Sequence, residues 1–214
     1  RGHMGSAMSI IEILRVLYDD FLKYNPKKPN DKYRDRLILS KGHGCLALYA
    51  LLADKKFFDK KVLRSASKFN SILGGHPEFG KVPGVEASTG ALGHGPAIGV
   101  GMAISAKLNK LNYKTFAIVG DGEINEGSFW ESSMIASKHK LNNFHIIVDY
   151  NKIQSYGKTK EILDLEPLRH KLESFGYKVS EVNGHNVNQL KKYFKTIKNN
   201  KEKPTALICH TIKG

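Results

Sequence analysis

The stretch that most constrains the fold runs from an apolar segment into a glycine–aspartate–glycine turn. Thr115 to Val119 is predicted to be a buried strand, and Gly120-Asp121-Gly122 follows at its carboxyl end. A helical pattern begins near Gly127, and a second apolar strand, Phe144 to Val148, leads to Asn151. Because parallel strands open their carboxyl ends onto one crevice, we expect both turns to face a common ligand site.

The residue types at these turns favour a metal ion bound to a phosphate. Asp121 and Asn151 carry hard oxygen ligands of the kind that Mg²⁺ and Ca²⁺ prefer. Gly120 and Gly122 allow the backbone to approach a diphosphate closely. An ordinary strand-to-helix turn with a capping aspartate is the alternative interpretation.

Gly120-Asp121-Gly122 with Asn151 resembles the thiamine-diphosphate binding motif, and the fuller string GDG-x3-EG-x2-WE is similar to that of transketolases. The resemblance implies thiamine diphosphate as the cofactor, with Gly120 and Gly122 beside it. It also implies a divalent metal, Mg²⁺ with Ca²⁺ or Mn²⁺ as options, on the Asp121 and Asn151 side chains and the Ile153 carbonyl. Glu126 matches the family glutamate that links the two halves of the active site.

A second glycine turn, Ser40-Lys41-Gly42-His43-Gly44, joins a predicted strand, Arg36 to Leu39, to an apolar helix. This order places His43 at the carboxyl edge of the sheet, where it is either a helix-capping residue or part of a site. The turn resembles the transketolase segment whose lysine and histidine face the diphosphate and the substrate. Lys41 and His43 occupy those positions.

The glycine-rich stretch 74–95 is a long loop, and long loops inside compact domains are usually functional. A flexible surface loop is the alternative. Its GHPE segment resembles the one that presents a histidine, here His76, to the sugar. Its TGALGHG segment resembles the one that lines the cofactor, which implies contacts from Gly90, Ala91, Leu92 and His94.

The resemblance extends over essentially the whole chain. Gly2-His3-Met4-Gly5-Ser6 is similar to a family segment GH-x2-S, so we expect it to be native rather than a tag remnant, with His3 and Ser6 facing the active site. Thr211-Ile212-Lys213-Gly214 matches the family's T-x-KG segment, which implies that Lys213 approaches the cofactor.

Strands and helices alternate along the chain, so the sequence predicts one α/β domain over residues 1–214. The sheet should be mostly parallel with helices on both faces, as in the diphosphate-binding domain of the thiamine-diphosphate-binding fold.

Three further local expectations follow from the pattern. A helix is predicted from Ser9 to Tyr24, with Ser9 and Glu12 forming a capping box. In the helix from Pro96 to Leu108, small residues are expected to form one closely packed side: Gly99, Gly101 and Ala103. His185 is expected to be a turn residue rather than a ligand.

Composition excludes several classes of function. Lys and Arg number 34 against 20 Asp and Glu, which gives a net charge of +14. The lysines are spread along the chain, which favours a solvated surface over a nucleic-acid partner. Cys45 and Cys209 lie in apolar runs, which is typical of core residues. No apolar run reaches the length of a membrane span and no signal peptide is visible, so we expect a cytoplasmic protein without a membrane partner.

The resemblance implies transfer of a two-carbon ketol unit between sugar phosphates, as in the pentose phosphate pathway, with His3, His43 and His76 as acid–base candidates. The family's pyrimidine-binding domain is missing, so we expect a carboxyl-terminal partner subunit to supply it in a heterotetramer. Alternatives are a deoxyxylulose-phosphate synthase or 2-oxo acid dehydrogenase subunit, an inert scaffold, or a nucleic-acid-binding protein.

Overall fold

A parallel sheet organises residues 3–198 and 200–214, which the computed structural model describes; Gly2 of the amino-terminal motif lies outside them. The strands, in chain order, are β1 (Arg36–Leu39), β2 (Thr115–Gly120), β3 (Phe144–Tyr150), β4 (Ile153–Gln154), β5 (Gly157–Lys158), β6 (Lys178–Asn183) and β7 (Thr205–His210). Within this described part, five strands form one sheet in the order β1-β2-β3-β7-β6, and every pairing is parallel. β4 and β5 form a separate antiparallel hairpin.

Helices cover the sheet. They are α1 (Met4–Met8), α2 (Ile11–Val16), α3 (Cys45–Asp54), α4 (His94–Leu108), α5 (Gly127–Lys138), α6 (Thr159–Ile162), α7 (Leu168–Ser174) and α8 (Val187–Ile197). A π-helical turn, Leu17–Phe21, continues α2, and 3-10 turns occupy Gly42–Gly44, Lys60–Ser65 and Gly122–Asn125. In the described ranges, no helix is both long and apolar enough to cross a membrane.

The core lies on both faces of the sheet because successive strand side chains point to opposite sides. Phe116 and Ile118 pack with residues of α2, α3 and α8. Ala117 and Val119 pack with residues of α4, α5 and α7. Strands β2 and β3 are buried along their whole length, as expected of a parallel sheet covered on both faces. The predicted α/β fold with helices on both faces is confirmed.

The first predicted helix is wrong at its start. α1 ends at Met8, and Ser9 is a buried C-cap residue rather than an N-cap. Its hydroxyl donates to Asp149 Oδ2 at 2.7 Å instead of accepting from a backbone N–H. Glu12 pairs with His185. The capping box therefore does not form, because the buried carboxylate of Asp149 takes the serine hydroxyl that the motif would need.

The small-residue side of α4 was also predicted incorrectly. At 3.6 residues per turn Gly99 and Ala103 share a face, and Gly101 points away from it. Gly99 and Ala103 are buried, whereas Gly101 is exposed. Close packing therefore explains Gly99 and not Gly101.

We expect Gly99→Ala to lower the free energy of unfolding by about 1–3 kcal/mol. A Cβ atom there would lie 2.7 Å from Cε2 of Phe144, so the ring must shift. Gly101→Ala is the matched control, since its Cβ would meet nothing within 4 Å. It should stabilise the chain by roughly 0.5–1 kcal/mol, the helix-propensity difference. Urea unfolding of both variants measures the effect, and a Gly99→Ala chain as stable as the parent would contradict this packing.

Candidate active site

The carboxyl edge of the sheet carries a cavity of ≈ 590 Å³. Many residues predicted from the sequence line it: His3, Ser6, Lys41, His43, Gly90, Leu92, Gly120, Asp121, Gly122, Asn151, Ile153 and Lys213. They come from α1, the turns after β1, β2 and β3, the glycine-rich loop and the segment after β7. Because β2 and β3 are parallel neighbours, the turns bearing Asp121 and Asn151 meet at one edge.

Asp121 follows β2 directly and is nearly buried, with 3% of its surface exposed. Its Oδ1 accepts from the Gly122 N–H at 2.7 Å, and its Oδ2 accepts from the Lys152 N–H. Burial raises the pKa of this carboxyl to about 6, although both backbone bonds act in the opposite direction. A cation beside Asp121 would compensate the lost hydration and favour the ionised form.

Asn151 begins the turn after β3 and is half-buried. Its Oδ1 accepts from the Ile153 N–H at 3.0 Å, and its Nδ2 donates to Asp149 Oδ2 at 3.2 Å. The two bonds fix the side-chain amide at the cavity wall with its oxygen on the Ile153 side.

Sequence reasoning missed Asp149, which is fully buried at the end of β3. It accepts hydrogen bonds from Lys41 Nζ, Ser9 Oγ and Thr211 Oγ1. Lys41 is only 1% exposed, so its ammonium is paired inside the protein. An aspartate in an otherwise apolar strand, two positions before Asn151, was the available signal.

Glu123 was also missed, since the motif treats its position as a spacer. Its Oε1 accepts from Ser40 Oγ and from the Gly93 N–H at 2.9 Å, and its Oε2 accepts from the Gly120 N–H at 3.0 Å. Burial raises the pKa of this carboxyl. The side chain joins three loops around the cavity. Gly93 must be glycine there, because its φ is 78° and a Cβ would lie 2.7 Å from Glu126 Cβ.

The three predicted acid–base histidines are neighbours. The ring centroids of His3 and His43 lie 5.6 Å apart. The exposed His76 places its ring against the backbone of Gly42 and Gly90. Burial, followed by the charge of Lys41, lowers the pKa of His43 to about 4. His43 is therefore neutral at pH 7 and able to accept a proton.

Four predicted residues do not line the cavity. His76, Ala91, His94 and Glu126 are outside it. His94 is the first residue of α4, and its Nδ1 lies 3.0 Å from the Leu92 carbonyl oxygen. Glu126 is the N-cap residue of α5, where a carboxylate favours the helix dipole.

Gln154, in β4, is another lining residue that the sequence did not indicate. Its side chain packs on Gly122, and its buried Nε2 has no hydrogen-bond partner in the described part of the chain. A buried donor without an acceptor is costly, so a ligand acceptor would stabilise it. Nowhere in the described residues do three His, Cys, Asp or Glu side chains form a metal-binding group. A metal here would rest on one carboxylate, neutral oxygens and a ligand, as Mg²⁺ commonly does with phosphates.

We expect Asp149→Asn to lower the free energy of unfolding by about 3–5 kcal/mol, because it leaves the buried Lys41 ammonium without a counter-charge. Glu173→Gln is the matched control, since it breaks an exposed ion pair with Arg169 and should cost at most about 0.5 kcal/mol. Denaturant unfolding measures both, and equal effects would contradict the role assigned to the buried pair.

The pKa of His43 gives a second test. An NMR titration should find its midpoint near 4 in the folded chain. The same histidine in a short peptide should titrate near 6.5. Because the folded form resists protonation, His43 should reduce stability as the pH falls from about 6.5 towards 4. A folded-state midpoint at or above 6.5 would refute this environment.

Comparison with known proteins agrees with this geometry. The family model described as transketolase, thiamine diphosphate binding domain, matches residues 1–214. One of the two subunits of the apulose-4-phosphate transketolase from Phocaeicola vulgatus is 43% identical over all of this chain and 75% of its own length. The 6-deoxy-6-sulfo-D-fructose transketolase subunit SqwG of a Clostridium species is 39% identical over 100% and 78%.

Solved structures give the same result. The crystal structure of transketolase from Campylobacter jejuni superposes with a TM-score of 0.91 at 34% identity, covering 98% of this chain and 34% of that one. The chain thus spans about a third of that transketolase. On the whole-chain family match, the fold and the subunit relatives, this chain belongs to the transketolase family, as its thiamine diphosphate-binding domain.

Proposed function

We propose that this chain is the amino-terminal subunit of a split transketolase, which moves a two-carbon ketol unit between sugar phosphates. The observation that carries the proposal is the cavity where the Asp121 and Asn151 turns meet His3 and His43. Relatives matched over the whole chain are named as subunits of transketolases, which supports a two-chain enzyme.

The residues at the cavity fit thiamine diphosphate held through a divalent metal. The side chains of Asp121 and Asn151 and the carbonyl of Ile153 would bind Mg²⁺, with Ca²⁺ or Mn²⁺ as options. The unpaired Nε2 of Gln154 would donate to a diphosphate oxygen. Contacts from Ser6, Gly90, Leu92 and Lys213 are supported by their place in the cavity wall.

Three more contacts rest on the sequence motif, since Ala91, His94 and Glu126 lie outside the cavity of this chain. Their position beside the cavity loops is compatible with a surface that a partner completes. Glu126 would then face the second half of the active site, beside Gly93.

When bound, thiamine diphosphate supplies the nucleophilic carbon that carries the two-carbon fragment. The chain's own residues bind the diphosphate and exchange protons with the sugar. The neutral His43 can accept a proton from a substrate hydroxyl at Nδ1 or Nε2, and His3 and His76 lie close enough to share that work. Each such residue contributes roughly 10²–10⁴-fold to a rate.

A partner subunit with a pyrimidine-binding domain would complete the cavity. α4 and α5 expose apolar side chains next to the site, among them Ile98, Met134 and Ile135. We place the interface there and along the glycine-rich loop, in a heterotetramer of two chains of each kind. Sugar phosphates are charged metabolites, which supports a cytoplasmic location and a place in pentose phosphate metabolism.

Asp121→Ala should abolish metal-dependent binding of thiamine diphosphate, because it removes the one carboxylate of the metal site. Glu161→Ala, a change to an exposed carboxylate on the neighbouring α6, is the control and should bind like the parent. Isothermal titration calorimetry with Mg²⁺ measures both. Unchanged binding by Asp121→Ala would overturn the metal assignment.

The purified chain should show no turnover until its partner is added, because the pyrimidine-binding half of the site is absent. A coupled assay with xylulose 5-phosphate measures this, and pyruvate as donor tests the carboligase and dehydrogenase alternatives. Full activity from this chain alone, free of contaminating enzyme, would refute the split-site proposal. Pyruvate as the preferred donor would refute the transketolase activity.

A further inference from the structure

The segment after β7 enters the active-site cavity without the support of a helix or strand. Within Thr211–Gly214, Lys213 and Gly214 line the cavity. Thr211 Oγ1 donates to Asp149 Oδ1, and the Ile212 N–H donates to His185 Nε2 at 2.9 Å. The bond from Ile212 is the tether next to Lys213 along the chain.

The hydrogen-bond partners of His185 fix its tautomer. A backbone N–H can only donate, so Nε2 must accept the bond from Ile212 and carries no proton. The proton of the neutral ring then lies on Nδ1, which donates to Glu12 Oε2 at 3.1 Å. A ring protonated on both nitrogens could not hold Ile212.

Packing around His185 leaves its ring little freedom. The preceding Gly184 packs directly on Thr211 and Cys209, and an added Cβ there would contact both side chains. Glu12 belongs to α2, which neighbouring buried residues Ile13 and Leu14 anchor in the core. The imidazole therefore bridges a fixed helix to the cavity segment.

We propose that His185 is a positioning residue: its neutral imidazole, oriented by Glu12, holds the Ile212 amide and thereby sets Lys213 at the cavity. The consequence for catalysis rests on the proposed function, in which Lys213 contacts the cofactor. Loss of the tether should weaken cofactor binding without slowing the chemical step, since His185 itself does not line the cavity.

Two substitutions separate the bond from the bulk of the ring. His185→Leu removes both hydrogen bonds, whereas His185→Gln can still accept from Ile212 through Oε1 and donate to Glu12 through Nε2. His210→Leu is the matched control, because His210 also pairs with a carboxylate, Glu181 at 2.8 Å, and does not bind Ile212.

Amide hydrogen exchange of the full chain measures the tether directly. Exchange at Ile212 should be roughly 10-fold faster in His185→Leu, and within about 2-fold of the parent in His185→Gln and His210→Leu. The ¹⁵N shifts of His185 in the parent should report a proton on Nδ1. Unchanged exchange in His185→Leu, or a proton on Nε2, would overturn the proposal.

The complex with the partner subunit tests the catalytic consequence. His185→Leu should raise the KM for thiamine diphosphate roughly 10-fold with little change in kcat, and His185→Gln should restore it. Lys213→Met should raise that KM too, and the double variant should be no worse than the poorer single variant. A raised KM in Lys213→Met alone would overturn the positioning role. If the parent complex does not use thiamine diphosphate, the proposed function fails while the exchange result still decides the tether.

Discussion

The buried pair of Asp149 and Lys41 is the interaction on which the geometry of the site depends. A charged pair out of water is stable only when its remaining hydrogen-bonding capacity is met. Asp149 meets it with Ser9, Asn151 and Thr211, which belong to three separate parts of the chain. The pair therefore joins the amino-terminal helices, the turns after β1 and β3, and the segment after β7.

Glu123 does the same for the other side of the cavity. Its carboxylate ties the loop after β1, the glycine-rich loop and the turn after β2. The two buried carboxylates hold backbone that has no helix or sheet bonds of its own. The cavity is thus preorganised by charges that do not face the ligand as its principal contacts, and Asp121 can be left with a raised pKa for a cation to restore.

The fold could be predicted because the apolar runs of β2 and β3 leave only a buried parallel sheet, and the order of strands and helices sets its topology. The turns around Asp121 and His43 followed from that topology. Asp149 and Glu123 could not be found this way, since their roles depend on contacts 108 and 83 residues apart in the chain. The capping box at Ser9 failed for the same reason: a distant buried carboxylate outcompetes a local backbone N–H. His185, expected to be a turn residue, does lie in the turn, but its two ring bonds are tertiary.

The edge formed by the Asp121 and Asn151 turns is where we place the metal and the diphosphate, and every catalytic proposal depends on that placement. The most direct measurement is a crystal structure of the chain with its partner subunit, thiamine diphosphate and Mn²⁺, with anomalous scattering to locate the metal. We expect Mn²⁺ on the Asp121 and Asn151 side chains and the Ile153 carbonyl, with the diphosphate beside Gln154. An anomalous peak elsewhere, with thiamine diphosphate bound away from these turns, would contradict this placement.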